Sequence, residues 1–401
     1  MTKMAEAGRT GPSVRSDCRI QVEFAKEGIH IHLTGKVALL YGEEIRSQLK
    51  RACETLNIKD LNITVDDSGA LPFVIDARFE TAVRRLGLPV PKPLLPKTHI
   101  SQQSSAKDRH RRSRLYLPGN SPHLFINAGL HQSDAVILDL EDSVSPAEKD
   151  SARALVRNAL VAVDFMDAEV MVRINAPPLG LEDLPWIVPY GVQTILIPKC
   201  ESPRQIREIE ETIEHLNPPH PFWLIPVIES AKGCFQVYDI AGASSSIAAI
   251  ALGVEDYTAD LGVHPTPAGL ESLWARSKIV NAAKAHGIQA LGSVYSNVDD
   301  DQGCREVALA GKALGFDGMA CIHPRQIPII HDAYAPKPEE IEKAKEVLRA
   351  YNKAGESGSG VAAVDSKMID APVIKRAKRI LEYAVDLGLL KKSWMKDEGE
   401  S

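Results

Sequence analysis

Trp223-Leu224-Ile225-Pro226-Val227-Ile228-Glu229-Ser230 and Ala251-Leu252-Gly253-Val254-Glu255-Asp256 are two short apolar runs that each end abruptly in acid. A strand buried on both faces reads this way when its C-terminal end opens into an active site. Two strand-end acids on neighbouring strands can hold one hard divalent cation. Mg2+ takes one or two carboxylates, several waters and an anionic substrate ligand, so Glu229 and Asp256 suit it better than they suit zinc. The plain alternative is that each acid only marks the edge of a sheet, and short motifs leave that reading open.

Outward from this pair, similar runs recur along the chain. They are Arg114-Leu115-Tyr116-Leu117, Ala135 to Leu140, Val170 to Ile174, Thr194 to Ile197, Leu224 to Ile228, Ile247 to Leu252, Ala290 to Val294 and Gly318 to Ile322. Helical stretches such as Pro203 to Leu216 and Leu273 to Ala285 separate them. Eight strands alternating with helices predict an α/β fold, a (β/α)8 TIM barrel over 113–335 with its catalytic groups at the C-terminal strand ends. An open doubly wound sheet is the second choice, but no GxGxxG follows the first strand. Beyond the barrel, 336–401 reads as a C-terminal helical extension, helical from Pro338 to Lys353, loosening at Gly355 to Gly360, and resuming after Met368-Ile369-Asp370-Ala371-Pro372-Val373.

Before the barrel, 1–17 reads as a flexible polar leader and 18–87 as a small α+β domain. Ile20 to Phe24 and Ile29 to Leu33 alternate around Lys26-Glu27-Gly28, which predicts a hairpin. His30 and His32 fall on its polar face and read as solvated. Val37 to Leu56 predicts a helix, Leu61 to Val65 a third strand, Ala70 to Ile75 an edge strand marked by Pro72, and Arg78 to Leu86 a closing helix. Residues 88–112 then lose apolar periodicity, which marks a linker between two bodies. Its terminal Lys107-Asp108-Arg109-His110-Arg111-Arg112 reads as a solvated charge run rather than a phosphate site.

Composition narrows the function classes. The 401 residues are 44% hydrophobic and 25% charged with a net charge of −6, ordinary for a globular protein and unlike a general nucleic-acid binder. Six scattered cysteines without a CxxC pair suggest neither a disulfide scaffold nor a zinc site. The N-terminus is not built like a signal peptide and no apolar run is long enough to span a membrane, so a cytoplasmic protein is expected.

If the barrel is right, one rim collects Glu141 and Asp142, Arg173, Lys199, Glu229, Asp256 and His323. Arg173 interrupts the apolar Val172-Arg173-Ile174 run, and a buried cation needs partners. A substrate carboxylate or enolate oxygen is one candidate and Glu141 another, with Glu141 orienting the guanidinium while its remaining donors hold substrate. A purely internal salt bridge is the alternative. Lys199 could form a Schiff base, but a metal pair makes one unnecessary.

Ser113 to Gly119, Asp139-Leu140-Glu141-Asp142, Val172 to Asn175, Ile197-Pro198-Lys199, Ile228-Glu229-Ser230-Ala231, Gly253 to Asp256 with Asp260-Leu261-Gly262, and Cys321-Ile322-His323-Pro324 occur in that order. Together, over 113–383, they resemble the citrate lyase beta subunit and malyl-CoA lyase group, the HpcH/HpaI aldolase superfamily. The resemblance implies Mg2+ or Mn2+ held by Glu229 and Asp256, a 2-oxo acid held by Arg173, and Asp370 reaching a neighbouring subunit's site in a homo-oligomer, a trimer or hexamer. The implied reaction is reversible carbon–carbon cleavage of a citryl-type 3-hydroxyacyl thioester, on CoA or on phosphoribosyl-dephospho-CoA, to oxaloacetate and an acetyl thioester. Malyl-, methylmalyl- or citramalyl-CoA are the alternative substrates.

Residues 16–87 independently resemble the gamma subunit, or acyl carrier protein, of citrate lyase, through Ser16-Asp17, Val65 to Leu71 and Ala77-Arg78. A carrier fused to a lyase is implied, with an alpha-like transferase subunit as a further partner. The family's prosthetic-group serine precedes the matching Asp by two residues, and here that position is Arg15.

Overall fold

In the computed structural model, residues 3–35, 37–266, 268–356, 362–364 and 367–394 are described. The chain forms two compact units, Met1–Ile330 and His331–Ser401. The N-terminal domain therefore belongs to the same unit as the barrel. The second unit starts at His331, five residues before the expected start at 336.

The N-terminal sheet holds β1 (Met4–Gly8), β2 (Cys18–Phe24), β3 (Ile29–Gly35) and β4 (Leu61–Asp67) in the order β1-β2-β4-β3. Helices α1 (Ala38–Thr55) and α2 (Pro72–Leu86) complete the domain. Its core joins Ile20, Val22, Ile63 and Val65 of the sheet to Ile45, Leu49, Phe79 and Val83 of the helices. Three expectations are corrected here. The leader is not free: Met4 to Gly8 pairs antiparallel with Glu23 to Arg19, where small Ala7 packs under the sheet and Gly8, at φ +87, lies against the Cys18 carbonyl. The hairpin does not form, because β4 inserts between its two strands, pairing antiparallel with β2 and parallel with β3 through the α1 crossover. Ala70 to Ile75 is no strand either: Pro72 opens α2, where its fixed φ suits a first helical turn, and Phe73-Val74-Ile75 continues the helical spacing of Phe79 and Val83. His30 and His32 are exposed, as read.

Eight parallel strands close the barrel. They are β5 (Ser113–Pro118), β6 (Ala135–Asp139), β7 (Glu169–Arg173), β8 (Thr194–Ile197), β9 (Trp223–Ile228), β10 (Ala249–Leu252), β11 (Gln289–Gly292) and β12 (Gly318–Cys321). Ile137, Met171, Leu196, Ile225, Ala249 and Leu291 fill the interior, while Val136, Leu138, Val172 and Ile195 are equally buried on the other face. Burial on both faces is why these strands read as unbroken apolar runs. The register sets Asp139 beside Arg173 and Leu252 beside Ile228, so the charged groups that follow the strands gather at one rim.

The charge run before β5 is also corrected. Arg111 is fully buried and forks onto Glu169 at 2.6 and 2.8 Å, while Arg112 grips Asp134. These pairs tie the segment to the starts of β6 and β7, so charge periodicity alone misjudges it.

In the second unit, helices Pro338–Glu356 and Ala371–Asp386 pack through Ile341, Ala344 and Leu348 against Ala377, Leu381 and Ala384. Strands Ala362–Val364 and Lys367–Ile369 pair antiparallel. The loosening expected at Gly355 to Gly360 falls largely outside the described residues. Among those residues, no helix is long and apolar enough to cross a membrane.

Candidate active site

A cavity of about 350 Å3 opens at the C-terminal end of the barrel, lined by Arg114, Tyr116, Asp139, Arg173, Glu229 and Asp256 among others. Strand ends deliver these groups from β5, β6, β7, β9 and the turn after β10.

Arg173 ends β7. Its Nε and Nη2 donate to the two oxygens of Asp139 at 2.7 and 2.8 Å, and its guanidinium lies 5.0 Å from the centre of the Tyr116 ring. Burial pushes the Asp139 carboxyl up, but the two Arg173 bonds outweigh it and hold the group below the usual carboxylate range. Asp139, set directly beside Arg173 by strand register, is a partner additional to the expected Glu141. Glu141 Oε2 lies 2.9 Å from Nη1, a charge contact outside hydrogen-bond geometry. Two N–H groups on Nη1, which faces Glu141, and one on Nη2 make no hydrogen bond.

Lys199, just after β8, adopts φ 50, a left-handed conformation that costs a non-glycine residue about 1 kcal/mol or more. This turn sends its backbone N–H to Glu229 Oε1 at 2.6 Å and its Nζ to Glu141 Oε1 at 2.8 Å. The bond to Glu141 raises the pKa of the amine, which keeps it charged and unsuited to Schiff-base attack.

Glu229 is buried at the end of β9, and burial followed by the nearby Glu141 pushes its carboxyl up to about 8. Asp256 sits half-buried in the first turn of helix Val254–Asp260 and adds to that repulsion. A Cβ on Gly253 would stand 2.5 Å from Glu229 Oε2, so glycine makes room for this carboxylate. No cluster of three or more His, Cys, Asp or Glu side chains forms a ready metal cage among the described residues. Two crowded carboxylates in a cavity with room for water nevertheless suit Mg2+, which keeps several waters of its own.

Two further expected residues make other contacts. His323 is exposed and accepts from the Arg325 N–H. Asp370, in the second unit, caps helix Ala371–Asp386 by accepting from Val373 N at 3.1 Å. Asp139, Arg114 and Tyr116 were missed as site residues. A readable signal existed for Asp139: an acid closing a fully apolar strand, one strand before an arginine that does the same.

Residues 112–324 match the model described as HpcH/HpaI aldolase/citrate lyase. The chain belongs to that family. Residues 3–86 match the acyl-carrier model described as malonate decarboxylase delta subunit, in keeping with the carrier resemblance of the N-terminal domain. The citrate lyase beta subunit of Leuconostoc mesenteroides subsp. cremoris is 41% identical over 69% of this chain and 94% of its own length. Human mitochondrial citramalyl-CoA lyase is 31% identical over 73% of this chain and 91% of its own. The crystal structure of CitE from Mycobacterium tuberculosis in complex with magnesium, acetoacetate and coenzyme A superposes with a TM-score of 0.58 at 33% identity, covering 69% of this chain and 98% of that one.

Proposed function

We propose that this family member is a Mg2+-dependent carbon–carbon lyase that cleaves a citryl-type 3-hydroxyacyl thioester to oxaloacetate and an acetyl thioester. The observation that carries this reading is the division of one cavity into an oriented cation, Arg173, and a crowded acid pair, Glu229 and Asp256. Glu229 and Asp256 would hold the metal, which when bound supplies Lewis-acid polarisation of the oxo-acid oxygens. Arg173, fixed by Asp139, would direct its unbonded N–H groups at the oxo-acid carboxylate. Glu141, held by Lys199, balances the charge beside it. Cleavage removes the hydroxyl proton and breaks the bond between the hydroxyl-bearing carbon and the thioester α-carbon. The electron pair passes to the α-carbon, which is then protonated. Fixed charges around the cavity favour this charge development.

Asp370 would take the hydroxyl proton in the site of a second copy of the chain, which makes the working form a homo-oligomer, a trimer or hexamer. A cytoplasmic location and Mn2+ as a substitute metal belong to the same reading. A second reading, a malyl-, methylmalyl- or citramalyl-CoA lyase on free CoA esters, is favoured by Arg15. This exposed guanidinium has no oxygen with which to form a phosphodiester to a prosthetic group. On the first reading, a separate alpha-like transferase subunit would load any carrier-bound substrate. A panel of CoA thioesters assayed for oxaloacetate, pyruvate and glyoxylate separates the two. Oxaloacetate from citryl-CoA, lost on chelation, is the expected result; pyruvate from citramalyl-CoA alone would favour the second.

A further inference from the structure

The boundary between the N-terminal domain and the barrel is made of buried charge. Arg78 of α2 is 1% exposed, and its Nε and Nη2 fork onto Asp17 at 2.9 and 2.8 Å. Its Nη1 crosses to the barrel and donates to Ser151 Oγ at 2.6 Å, and Nη2 also reaches the Asn120 carbonyl at 3.4 Å. Two more arginines cross the same boundary. Arg157 forks onto Glu80 at 2.8 and 2.7 Å, with both side chains nearly inaccessible, and Arg85 forks onto Asp150. Charges buried this deeply hold only while their partners stay in place, so the domain is docked rather than tethered.

The barrel groups that Arg78 touches flank the active-site acids. Asn120 follows Gly119, whose N–H donates to the Asp139 carbonyl at 2.8 Å. A Cβ on Gly119 would come within 2.5 Å of that oxygen, so the loop lies flush against the end of β6. Ser151 sits in the first turn of helix Lys149–Ala162, and Lys149 Nζ donates to the Leu140 and Glu141 carbonyls. One guanidinium thus grips a segment on each side of Asp139-Leu140-Glu141, and Asp139 in turn sets the plane of Arg173.

We propose that the N-terminal domain is a fixed positioning element of the lyase site, in which the Asp17–Arg78 pair holds the loop at Asn120 and the helix start at Ser151 that flank Asp139 and, through it, orient Arg173. The inference rests on the reading of Arg173 as the oxo-acid site and of Glu229 and Asp256 as the metal site. Those two acids follow β9 and β10, and neither makes a direct contact with a group that Arg78 touches. Loosening the domain boundary should therefore disturb oxo-acid binding and leave metal binding alone.

The test uses the full chain with Asp17→Asn and Arg78→Met combined, which leaves no unpaired buried charge, and separately Ser151→Ala, which removes only the shorter of the two Arg78 bonds on the barrel side. Mg2+ binding is followed by calorimetry, and the condensation direction is assayed with the oxo acid varied. For the double variant, KM for the oxo acid should rise about tenfold while kcat falls less than about threefold, as expected for a binding group set at the wrong angle. Its Mg2+ Kd should stay within about twofold, and Ser151→Ala should shift KM the same way by about threefold. An unchanged KM in Ser151→Ala would overturn the proposal, even if the double variant failed to fold. So would Mg2+ Kd and KM rising together, which marks general loosening. Absence of Mg2+ binding in the unaltered chain would instead strike the metal-site reading, and the KM shift would still judge the positioning.

Discussion

On β6 and β7, Arg173 meets Asp139 through two hydrogen bonds and lies 2.9 Å from Glu141, whereas Glu229 and Asp256 face the same cavity without a salt bridge to any described residue. The first half of the mouth is electrostatically complete and the second carries surplus negative charge. A fully paired arginine is held still, and its spare donors point where the pairing leaves them. Crowded acids need a cation from outside the chain. On the proposed reading, this contrast makes the β9–β10 side the metal half and the β6–β7 side the anion half.

The harshest way to break this contrast is to remove charge from the metal half. Glu229→Gln or Asp256→Asn should lower kcat/KM by about a thousandfold or more, because one remaining carboxylate holds an octahedral cation poorly. Calorimetric Mg2+ affinity should fall in step. Turnover that survives exhaustive chelation, or full activity in both variants, would sink the assignment.

Neither half supplies an obvious acceptor for the hydroxyl proton, since Asp139 and Glu141 face cations and Glu229 and Asp256 are assigned to metal. Asp370→Asn should therefore lower kcat by about a hundredfold or more if another copy's Asp370 completes the site. Mixing Asp370→Asn chains with Arg173→Ala chains should recover part of the activity, since some sites would receive an intact residue of each kind. No recovery in verified mixed oligomers counts against a shared site and leaves Asp370 as the helix cap it also is.

How far such residues can be read from sequence depended on burial. The barrel strands are buried on both faces, so each appeared as a bounded apolar run and each rim charge stood out at its end; Arg173, Glu229 and Asp256 were visible for that reason. Asp139 was overlooked because its meaning depends on register with the next strand, a long-range fact that no local window contains. In the N-terminal domain, local signals were truthful but incomplete. Alternation identified β2 and β3 but could not reveal β4 between them, and Pro72 fits an edge strand as readily as a first helical turn. Arg111 looked like surface charge until the tertiary structure supplied Glu169.

A gentler probe of the anion half is Asp139→Asn, which keeps the shape of the side chain but removes the charge that fixes the guanidinium. It should cost about a hundredfold in kcat/KM through misorientation of Arg173, with Mg2+ affinity nearly unchanged. An equal loss of Mg2+ affinity would mean that the halves are not independent.

The smallest expected effect tests the surplus charge directly. Burial and neighbouring acids push Glu229 up to about 8 in the folded chain, above its ordinary value of 4.5. Between these two values the metal-free native state binds a proton that the unfolded chain has released, so unfolding free energy falls as pH rises through the window. The slope from this one group is on the order of 1 kcal/mol per pH unit, and it vanishes below the unfolded value and above the folded one. Metal-free wild type should therefore lose stability relative to Glu229→Gln between about pH 5 and 8, measured by urea unfolding at each pH. Saturating Mg2+ should offset the loss, because the cation replaces the proton as the partner of the carboxylate. Parallel pH profiles for the two metal-free proteins would show that Glu229 is ionised without cost, and the acid half would then need no metal to explain it.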